Sequence, residues 1–360
     1  MAGPERVLVT GGAGFIGSHA AQYYDERGAS VTVLDNLSRT ETLDTATEDR
    51  NTAAYNWAHL REHHPDVERV AGDVRDEGVL EDLVEGFDAI VHTAGQVAVT
   101  ASVTDPRTDF EVNALGTFNV LEAARKAESD PAVVFASTNK VYGENVNEIP
   151  VQEGNTRYWY GPVDYQPGIP ESLSIDGTEH TPYGVSKLAA DLYVQDYAKR
   201  NEVNAAAFRM SCIYGPRQFG NEDQGWVAHF VLSTLRDEPL TVFGDGKQVR
   251  DVLYVEDLVR AYDAFLSDPI DKPTVYNIGG GVRHTTSLLE LLDLLEDLVG
   301  RRPAVTFDDW REGDQRVYVS NVQRAMEALD WEPRVSFKEG LDRYLEWYEQ
   351  SIASSETKLV

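Results

Sequence analysis

Short apolar runs alternate with helical segments along the chain as far as Arg209. A glycine-rich turn and a helical stretch to about Gly28 separate the first two runs, which together form a βαβ unit. The alternation predicts an α/β fold, a Rossmann-type doubly wound parallel sheet with a smaller mixed α/β C-terminal lobe. The predicted strands are Arg6–Thr10, Val31–Leu34, Val67–Ala71, Ala89–Thr93, Ala132–Ser137 and Ala205–Arg209.

Two long segments interrupt this pattern. Asn36–Pro65 is a polar insertion with one helix predicted around Ala53–His63, and residues 149–181 are rich in Pro, Gly and Tyr without periodicity. Long loops in compact domains are often functional, so we assign 149–181 to the substrate side.

The strict alternation weakens after Gln218. Ser287-Leu-Leu-Glu290 predicts a capping box that opens a helix reaching about Leu298. We therefore expect a nucleotide-binding domain at 1–217 and a polar tail at 351–360. Between them, 218–350 should form mainly the smaller lobe, with the chain returning to the core.

The chain is strongly acidic, with 61 Asp and Glu against 32 Lys and Arg and a formal net charge of -29. This charge argues against nucleic acid and anionic membranes as partners, because their phosphates would be repelled. Acid excess with little lysine favours a protein kept soluble in high salt, the alternative being an ordinary acidic cytosolic enzyme. An anionic substrate would need local arginines.

Cys212 is the only cysteine, so neither an internal disulfide nor a cysteine metal cluster can form, and we expect no metal. The N-terminus enters a strand almost at once, which leaves no room for a signal peptide, and the sequence has no apolar run of about 18 residues to span a bilayer. We therefore expect a soluble, cytoplasmic protein.

The glycine-rich turn lies between the first strand and the first helix, the context of a dinucleotide fingerprint. Glycines there let the backbone approach a pyrophosphate at the helix N-terminus. Asp35 ends the second strand, where a carboxylate accepts both adenosine ribose hydroxyls and repels a 2′-phosphate, so NAD is favoured over NADP. Arg39 is a counter-signal, because an arginine there could hold that phosphate. The expected contacts of the turn are Gly11, Gly14, Phe15, Ile16 and Gly17.

Further cofactor contacts are expected where later strands end. Asp73-Val74 could meet the adenine edge, and the small residues Thr93-Ala94-Gly95 let a cofactor lie against the backbone. The remaining expected contacts are Asn36, Ser38, Asn113, Ser137 and Met210.

Tyr183 and Lys187 are spaced one helical turn apart. Free tyrosine has a pKa of about 10, too high for a base at neutral pH. A lysine ammonium and a positive nicotinamide ring both favour the phenolate, and Lys187 could also hydrogen-bond the nicotinamide ribose. Thr138 ends the fifth strand and should lie near Tyr183, because strand C-termini face the cofactor crevice. Thr138, Tyr183 and Lys187 are the candidate catalytic residues.

The glycine motif, Tyr183-x-x-x-Lys187 and the strand-end Thr138 resemble the extended short-chain dehydrogenase/reductase superfamily, which includes NAD-dependent nucleotide-sugar epimerases and dehydratases. The likeness runs from Val7 to about Tyr348. It implies NAD in the first domain, a nucleotide-diphosphate sugar in the C-terminal lobe, and a homodimer or homotetramer.

Four stretches resemble, more narrowly, the 2-epimerases of CDP-linked sugars: His92–Thr100, Ser137–Gly143, Phe219–Val227 and Gly244–Val252. This resemblance implies conversion of CDP-paratose to CDP-tyvelose through a transient 2-keto sugar. Tyr183 would then remove and return the hydroxyl proton, Thr138 would orient and relay it, and Lys187 would tune the tyrosine.

Asn139-Lys140 follows Thr138, whereas related 4,6-dehydratases carry Asp-Glu there as acid and base. Without those carboxylates the elimination of water loses its proton shuttle, which argues against a dehydratase. Lys140 could touch the sugar or only the solvated rim. Two alternatives stay open: a UDP-glucose/UDP-galactose 4-epimerase with the same three residues, and a non-catalytic NAD-binding sensor.

Arg250 and Arg311 resemble the arginines that clamp the substrate diphosphate in this superfamily, and guanidinium forks suit phosphate oxygens. Asp314 and Tyr318 follow Arg311 at spacings seen in nucleotide-sugar epimerases. The expected substrate contacts are Gln96, Thr138, Asn139, Arg217, Gln218, Arg250, Arg311, Asp314 and Tyr318.

Overall fold

A computed structural model describes residues 3–38, 52–311 and 313–353. Its central sheet has seven parallel strands, numbered in chain order: β1 Arg6–Thr10, β2 Ser30–Asp35, β3 Glu68–Ala71, β4 Ala89–His92, β5 Ala132–Thr138, β8 Ala205–Met210 and β12 Val275–Ile278. The spatial order is β3-β2-β1-β4-β5-β8-β12, so the chain reverses direction across the sheet between β1 and β4. This switch point is where such sheets bind ligands, and the order confirms the predicted Rossmann-type fold.

Helices cover both faces of this sheet. One face carries α1 Phe15–Asp25, α2 Thr52–His63, α9 Val255–Leu266 and α11 Gln323–Leu329. The other face carries α3 Glu77–Val84, α6 Gly116–Lys126 and α7 Pro182–Lys199. Two short helices, α4 Val99–Thr104 and α5 Pro106–Phe110, lead through a π-helical turn, Glu111–Leu115, into α6. None of the described helices is long and apolar enough to cross a membrane.

The smaller lobe is built mainly from the second half of the chain. Its strands are β9 Cys212–Tyr214, β10 Leu240–Phe243, β11 Val249–Tyr254, β13 Thr285–Ser287, β14 Val305–Asp308 and β15 Val317–Tyr318. Its helices are α8 Trp226–Arg236, α10 Leu288–Val299 and α12 Phe337–Tyr348. Strand β11 pairs with β9, β13 and β15, while β10 pairs with β14. Although α9, β12 and α11 follow residue 218, they belong to the main layers.

Local sequence signals explain where several elements begin. The predicted capping box is confirmed: the Glu290 amide donates to Ser287 Oγ at 3.1 Å, and the Ser287 amide donates to Glu290 Oε2 at 3.0 Å. The helix predicted near Ala53–His63 is α2. The segment 149–181 contains a small hairpin, β6 Val151–Glu153 with β7 Tyr158–Tyr160.

Candidate active site

The glycine turn after β1 packs too closely for side chains. Gly11 has a φ of +74°, and a Cβ there would lie 2.6 Å from the Ala94 amide nitrogen. A Cβ on Gly17 would lie 2.2 Å from the Gly11 carbonyl oxygen. Gly14 caps α1 without a side-chain hydrogen bond, so the helix opens directly at Phe15 and Ile16. Bare backbone at a helix N-terminus suits a pyrophosphate.

Gly17→Ala is expected to lower NAD affinity and to destabilise the fold by about 1–3 kcal/mol, because the new methyl group meets backbone that cannot give way. Gly78→Ala is the matched control, since its Cβ would have only Asp76 Oδ1 nearby, at 3.4 Å. Calorimetric NAD titration and thermal unfolding measure both effects. Wild-type NAD binding by Gly17→Ala would contradict the assignment of this turn.

Asp35 lies beside this turn at the end of β2. Its Oδ2 accepts the Ala13 amide at 2.9 Å, and its Oδ1 accepts the Leu37 amide at 2.8 Å. The carboxylate is thereby fixed next to the pyrophosphate cradle, where an adenosine ribose would lie. Arg39, the residue predicted to oppose this preference for NAD, lies outside the described residues.

Asn36 and Asp73 join the ends of β2 and β3. Asn36 Nδ2 donates to Asp73 Oδ2 at 2.7 Å, and Asn36 Oδ1 accepts the Ser38 amide at 3.0 Å. Arg75 donates to both oxygens of Asp73 and lowers the pKa of that carboxyl to about 2. Val74, the other residue expected at the adenine edge, is 5% exposed, so Asp73 offers the more accessible contact.

The end of β4 connects the cofactor cradle to the catalytic helix. Thr93 Oγ1 donates to the Thr10 carbonyl at 2.7 Å, and Ala94 follows against Gly11. A Cβ on Gly95 would lie 3.0 Å from Asn113 Oδ1 and 3.6 Å from Lys187 Nζ. The absence of a side chain at Gly95 therefore keeps the approach to the Lys187 ammonium clear.

Met210 ends β8 at the same edge of the sheet. Its sulfur accepts a hydrogen bond from the Tyr262 hydroxyl at 3.1 Å, which fixes the thioether against α9. The structure therefore places Met210 with the other strand ends, as expected for a cofactor contact.

The three predicted catalytic residues lie on adjoining elements, β5 and α7. Thr138 is the last residue of β5, and Tyr183 and Lys187 are in the first two turns of α7. Ser137 Oγ donates to Asp191 Oδ2 at 2.6 Å, and Lys187 Nζ lies 4.3 Å from the centre of the Phe135 ring, so both contacts tie α7 to β5. All three side chains are at least nine-tenths buried.

The residues after Thr138 are held in place by their own contacts. The Thr138 hydroxyl donates to Asn139 Oδ1 at 3.3 Å and accepts the Lys140 amide at 3.2 Å. Lys140 Nζ donates to the Gly313 carbonyl at 3.1 Å. The two positions where a dehydratase carries carboxylates thus present an amide and an ammonium.

Burial lowers the pKa of Lys187 to about 7, and the charges of Asp109 and Asp191 oppose this shift. Asp191 is already paired with Arg209, at 2.9 Å between Oδ1 and Nη2. Burial raises the pKa of the Asp109 carboxyl, and the Lys187 charge opposes that shift, so Asp109 and Lys187 each favour the charged form of the other. The buried His92 ring stays neutral, because burial and the Lys187 charge lower the pKa of His92 to about 3.

Asp109 is a buried residue near Lys187 that the sequence patterns do not predict. Its Oδ1 accepts Gln96 Nε2 at 3.0 Å and Asn113 Nδ2 at 3.1 Å. Asn113 Nδ2 also donates to Ser186 Oγ, at 3.0 Å, on the helix that carries Lys187. The only sequence signal is the i, i+4 spacing of Asp109 and Asn113, which gives no hint of Gln96 or Ser186. Gln96 and Asn113 thus help to hold the Asp109 carboxylate in place.

Predicted substrate residues meet on the side of the smaller lobe. Arg250 Nη2 donates to Asp314 Oδ1 at 2.5 Å, and Arg250 Nη1 donates to the Gln315 carbonyl at 2.5 Å. Because Lys140 contacts Gly313, these residues face the segment that follows Thr138. Two cations and one carboxylate therefore lie together between the sheet and the lobe.

Arg311 and Gln218 lie in the same lobe. Arg311 Nη1 donates to the Glu222 carbonyl at 2.7 Å, and its guanidinium stacks 3.8 Å from the centre of the Phe243 ring. Gln218 Nε2 donates to the Ile213 carbonyl at 3.2 Å. The guanidinium also lies 3.5 Å from Asp223 Oδ1 and 4.0 Å from Glu222 Oε2, so two carboxylates accompany it without a bidentate ion pair.

Two of the predicted substrate contacts are buried side chains. Arg217 lies between α1 and α2, where its Nη1 donates to Gln22 Oε1 at 2.7 Å. Tyr318 is fully buried, with its ring 6.5 Å from that of Tyr142. Arg217 therefore faces the cofactor helix α1, whereas Tyr318 lies opposite Arg250 on the paired strands β15 and β11.

Comparison with known proteins agrees with this geometry. The family model described as the NAD dependent epimerase/dehydratase family matches residues 7–279. The chain belongs to this family. NAD is its cofactor, and it is an isomerase-type enzyme of the nucleotide-sugar epimerase/dehydratase class. The glycine turn, whose space added Cβ atoms would fill, and the Asp35 carboxylate both fit NAD. Within the described residues no group of His, Cys, Asp and Glu could hold a metal ion.

Individual relatives in this family cover almost the whole chain. A CDP-paratose 2-epimerase from Salmonella typhi is 39% identical over 95% of this chain and 98% of its own length. A putative UDP-glucose 4-epimerase from Methanocaldococcus jannaschii is 34% identical over 95% of this chain and 97% of its own length. A UDP-glucose 4-epimerase from Thermus thermophilus, solved with NAD, is 31% identical with a TM-score of 0.75, covering 96% of this chain and 100% of that one.

Proposed function

We propose that the protein is a nucleotide-sugar epimerase that inverts C2 of CDP-paratose to give CDP-tyvelose. The observation that carries this proposal is the 39% identity to a CDP-paratose 2-epimerase over nearly the full length of both chains. The site supports it, because Thr138, Tyr183 and Lys187 are all present on adjoining elements.

Residues of this chain would carry out the proton transfer. Bound NAD, held by the glycine turn and Asp35, supplies the acceptor and donor of a hydride. Tyr183 takes the proton of the sugar hydroxyl, and the Lys187 ammonium stabilises the resulting phenolate. After the keto sugar has turned over in the pocket, its carbonyl carbon would take the hydride back on the opposite face, and Tyr183 would return the proton to the carbonyl oxygen. The Thr138 hydroxyl orients the reacting oxygen, and the cycle has no net redox change.

The substrate anion would bind in spite of the chain's net charge of -29. Arg250, Lys140 and Arg311 bring three cations to the lobe side of the site. Asp314 holds Arg250 at 2.5 Å and so orients its guanidinium. Charge-assisted hydrogen bonds from these guanidinium groups to phosphate oxygens attract the substrate locally, although the net negative charge of the chain repels it.

Incubation with CDP-paratose and, separately, UDP-glucose tests the proposal, with products identified by NMR. Conversion of CDP-paratose to CDP-tyvelose is the expected result. Turnover of UDP-glucose alone would instead establish the 4-epimerase alternative, which the similarity to UDP-glucose 4-epimerases favours. In D2O no deuterium should enter a carbon position, because a hydride returned within the site does not exchange. Release of a 4-keto-6-deoxy product would reveal a dehydratase.

A second copy of the chain is the proposed partner. Large apolar side chains are exposed on α4, α5, the π-helical turn and α7, namely Val103, Phe110, Leu115, Val185, Leu192 and Tyr193. Apolar patches of this kind mark association surfaces. Leu192→Glu is expected to convert an oligomer to monomer in size-exclusion chromatography with light scattering. Val163→Glu, exposed on another loop, is the control. An unchanged mass for Leu192→Glu would exclude this face.

A further inference from the structure

Arg217 is a buried cation that packs against the cofactor helix α1. Its side chain is 4% exposed, and its Nη1 contacts Gln22 and His59. The other edge of the guanidinium carries Nε and Nη2, which are both buried without a hydrogen-bond partner. No carboxylate of the described residues forms an ion pair with it. Burial lowers the pKa of Arg217 to about 10, so the group is still charged at neutral pH.

A charge in this position is energetically poor. A buried donor without a partner destabilises the folded protein, and the cost is greater when the group is charged. Nε and Nη2 present parallel N–H bonds, which is the edge with which arginine grips a carboxylate or phosphate through two hydrogen bonds. An unsatisfied buried group of this type points to an ion or ligand that completes it.

Arg217 also lines an open cavity of about 520 Å³ between α1, α2 and the start of α9. The walls include His19, Tyr23, Tyr55, His59, His63 and Trp347. Thr138, Tyr183, Lys187 and Arg250 are not among the lining residues, so this cavity is separate from the active site.

The electrostatics of the cavity limit what it can bind. Burial and the Arg217 charge lower the pKa of His59 to about 3, so its ring is neutral. Glu26 and Glu256 also line the cavity and would repel a highly charged ligand. A small molecule with one oxyanion group fits these walls better than a polyphosphate.

We propose that this cavity is a second binding site, for a small molecule whose phosphate or carboxylate oxygens accept hydrogen bonds from Nε and Nη2 of Arg217. Because both nitrogens are covered by protein atoms, binding requires wall side chains to move aside. The two charge-assisted hydrogen bonds that form then offset this movement.

Occupancy of the site would brace the junction between the two lobes. His19 Nε2 lies 2.8 Å from the Pro216 carbonyl oxygen, and the Tyr344 hydroxyl donates to the Gln218 carbonyl at 2.5 Å. The residues on either side of Arg217 therefore connect the cofactor helix α1 to α12 of the smaller lobe. An oxyanion on Arg217 would stabilise this link.

Inorganic phosphate and acetate, titrated at constant ionic strength into the NAD-saturated enzyme, test the proposal by calorimetry. Saturable binding of at least one anion is expected, and Arg217→Lys should weaken it about tenfold or more, because lysine keeps the charge but loses the fork. Arg69→Lys, which lies away from the cavity, should bind as the wild type does. The stronger of the two anions identifies the ligand class.

A measurement on the wild-type protein keeps the test independent of variant folding. The Arg217 Nε–H signal, assigned by arginine-selective 15N NMR, should shift during the same titration. Phosphate and acetate that leave this signal unchanged, or that bind Arg217→Lys as tightly as the wild type, would overturn the proposal. Anions that bound instead at Arg250 or at the glycine turn would bind Arg217→Lys as tightly as the wild type.

Discussion

Tyr183→Phe is expected to reduce kcat by about 10²–10⁴-fold while NAD binding and thermal stability change little. The substitution removes one hydroxyl, which is the group proposed to take and return the sugar proton. The ring keeps its packing, and the Tyr183 amide keeps its hydrogen bond to Ser102 Oγ at 3.1 Å. Initial rates by NMR, NAD titration and thermal unfolding measure the three quantities.

Tyr193→Phe is the matched control, because it removes the same hydroxyl from an exposed position on the same helix. Its activity should equal that of the wild type. If Tyr183→Phe retained full activity, the proposed chemistry would fail. If neither protein turned over any nucleotide sugar yet both bound NAD, the sensor alternative would replace it.

Lys187→Met is expected to lower kcat by about 10²-fold or more, since the phenolate loses its stabilising ammonium. The same change should raise the stability of the cofactor-free protein below about pH 7. In the wild type the folded pKa is about 7 and the unfolded value is 10.5. Below both values the ammonium is charged in both states, and the folded state bears the desolvation cost. That cost is relieved as pH rises from about 7 to 10.5.

Thermal unfolding at about pH 6 and pH 9 therefore measures stability with the buried Lys187 charged and with it neutral. The stability gain of Lys187→Met should be largest at the lower pH and should shrink at the higher one. A loss of stability at both values would contradict the assignment of a costly buried ammonium.

Asp109→Asn complements Lys187→Met. It tests whether Asp109 acts through Lys187 rather than by contact with the substrate. The Asp109 charge raises the pKa of Lys187 against the effect of burial, so its removal should move the alkaline limb of the kcat/KM profile to lower pH. A purely structural role would reduce activity without moving that limb. Asparagine keeps an oxygen that can accept from Gln96 and Asn113, which limits the disruption.

Most of the cofactor half could be predicted from the sequence because its signals are local. Strand β1, the glycine turn and α1 follow one another within 20 residues, and each element has its own pattern. The Tyr183–Lys187 spacing likewise lies on one helix face. The capping box at Ser287 was predicted correctly for the same reason.

The remaining parts depend on contacts between distant segments. Asp109 meets Gln96, and Asn113 meets Ser186, only through the fold, and Lys140 meets Gly313 across 173 positions of the chain. Motif proximity suggested that Arg217 and Tyr318 touch substrate, yet it carries no information about side-chain direction. In both cases the backbone turns the side chain inward.

Strand β12 comes from the second half of the chain but completes the central sheet of the cofactor layer. Phe208 of β8 packs against Tyr262 and Tyr276, with ring centres 5.1 Å and 5.3 Å apart, and Trp331 donates to the Asp257 carbonyl at 2.8 Å. This face of the cofactor layer is therefore covered partly by α1 and α2 and completed by α9 and α11 from the second half of the chain. A chain that ended at residue 217 would expose the part that α9 and α11 cover. We therefore expect the cofactor half to reach its full stability only when these segments of the second half have packed against it.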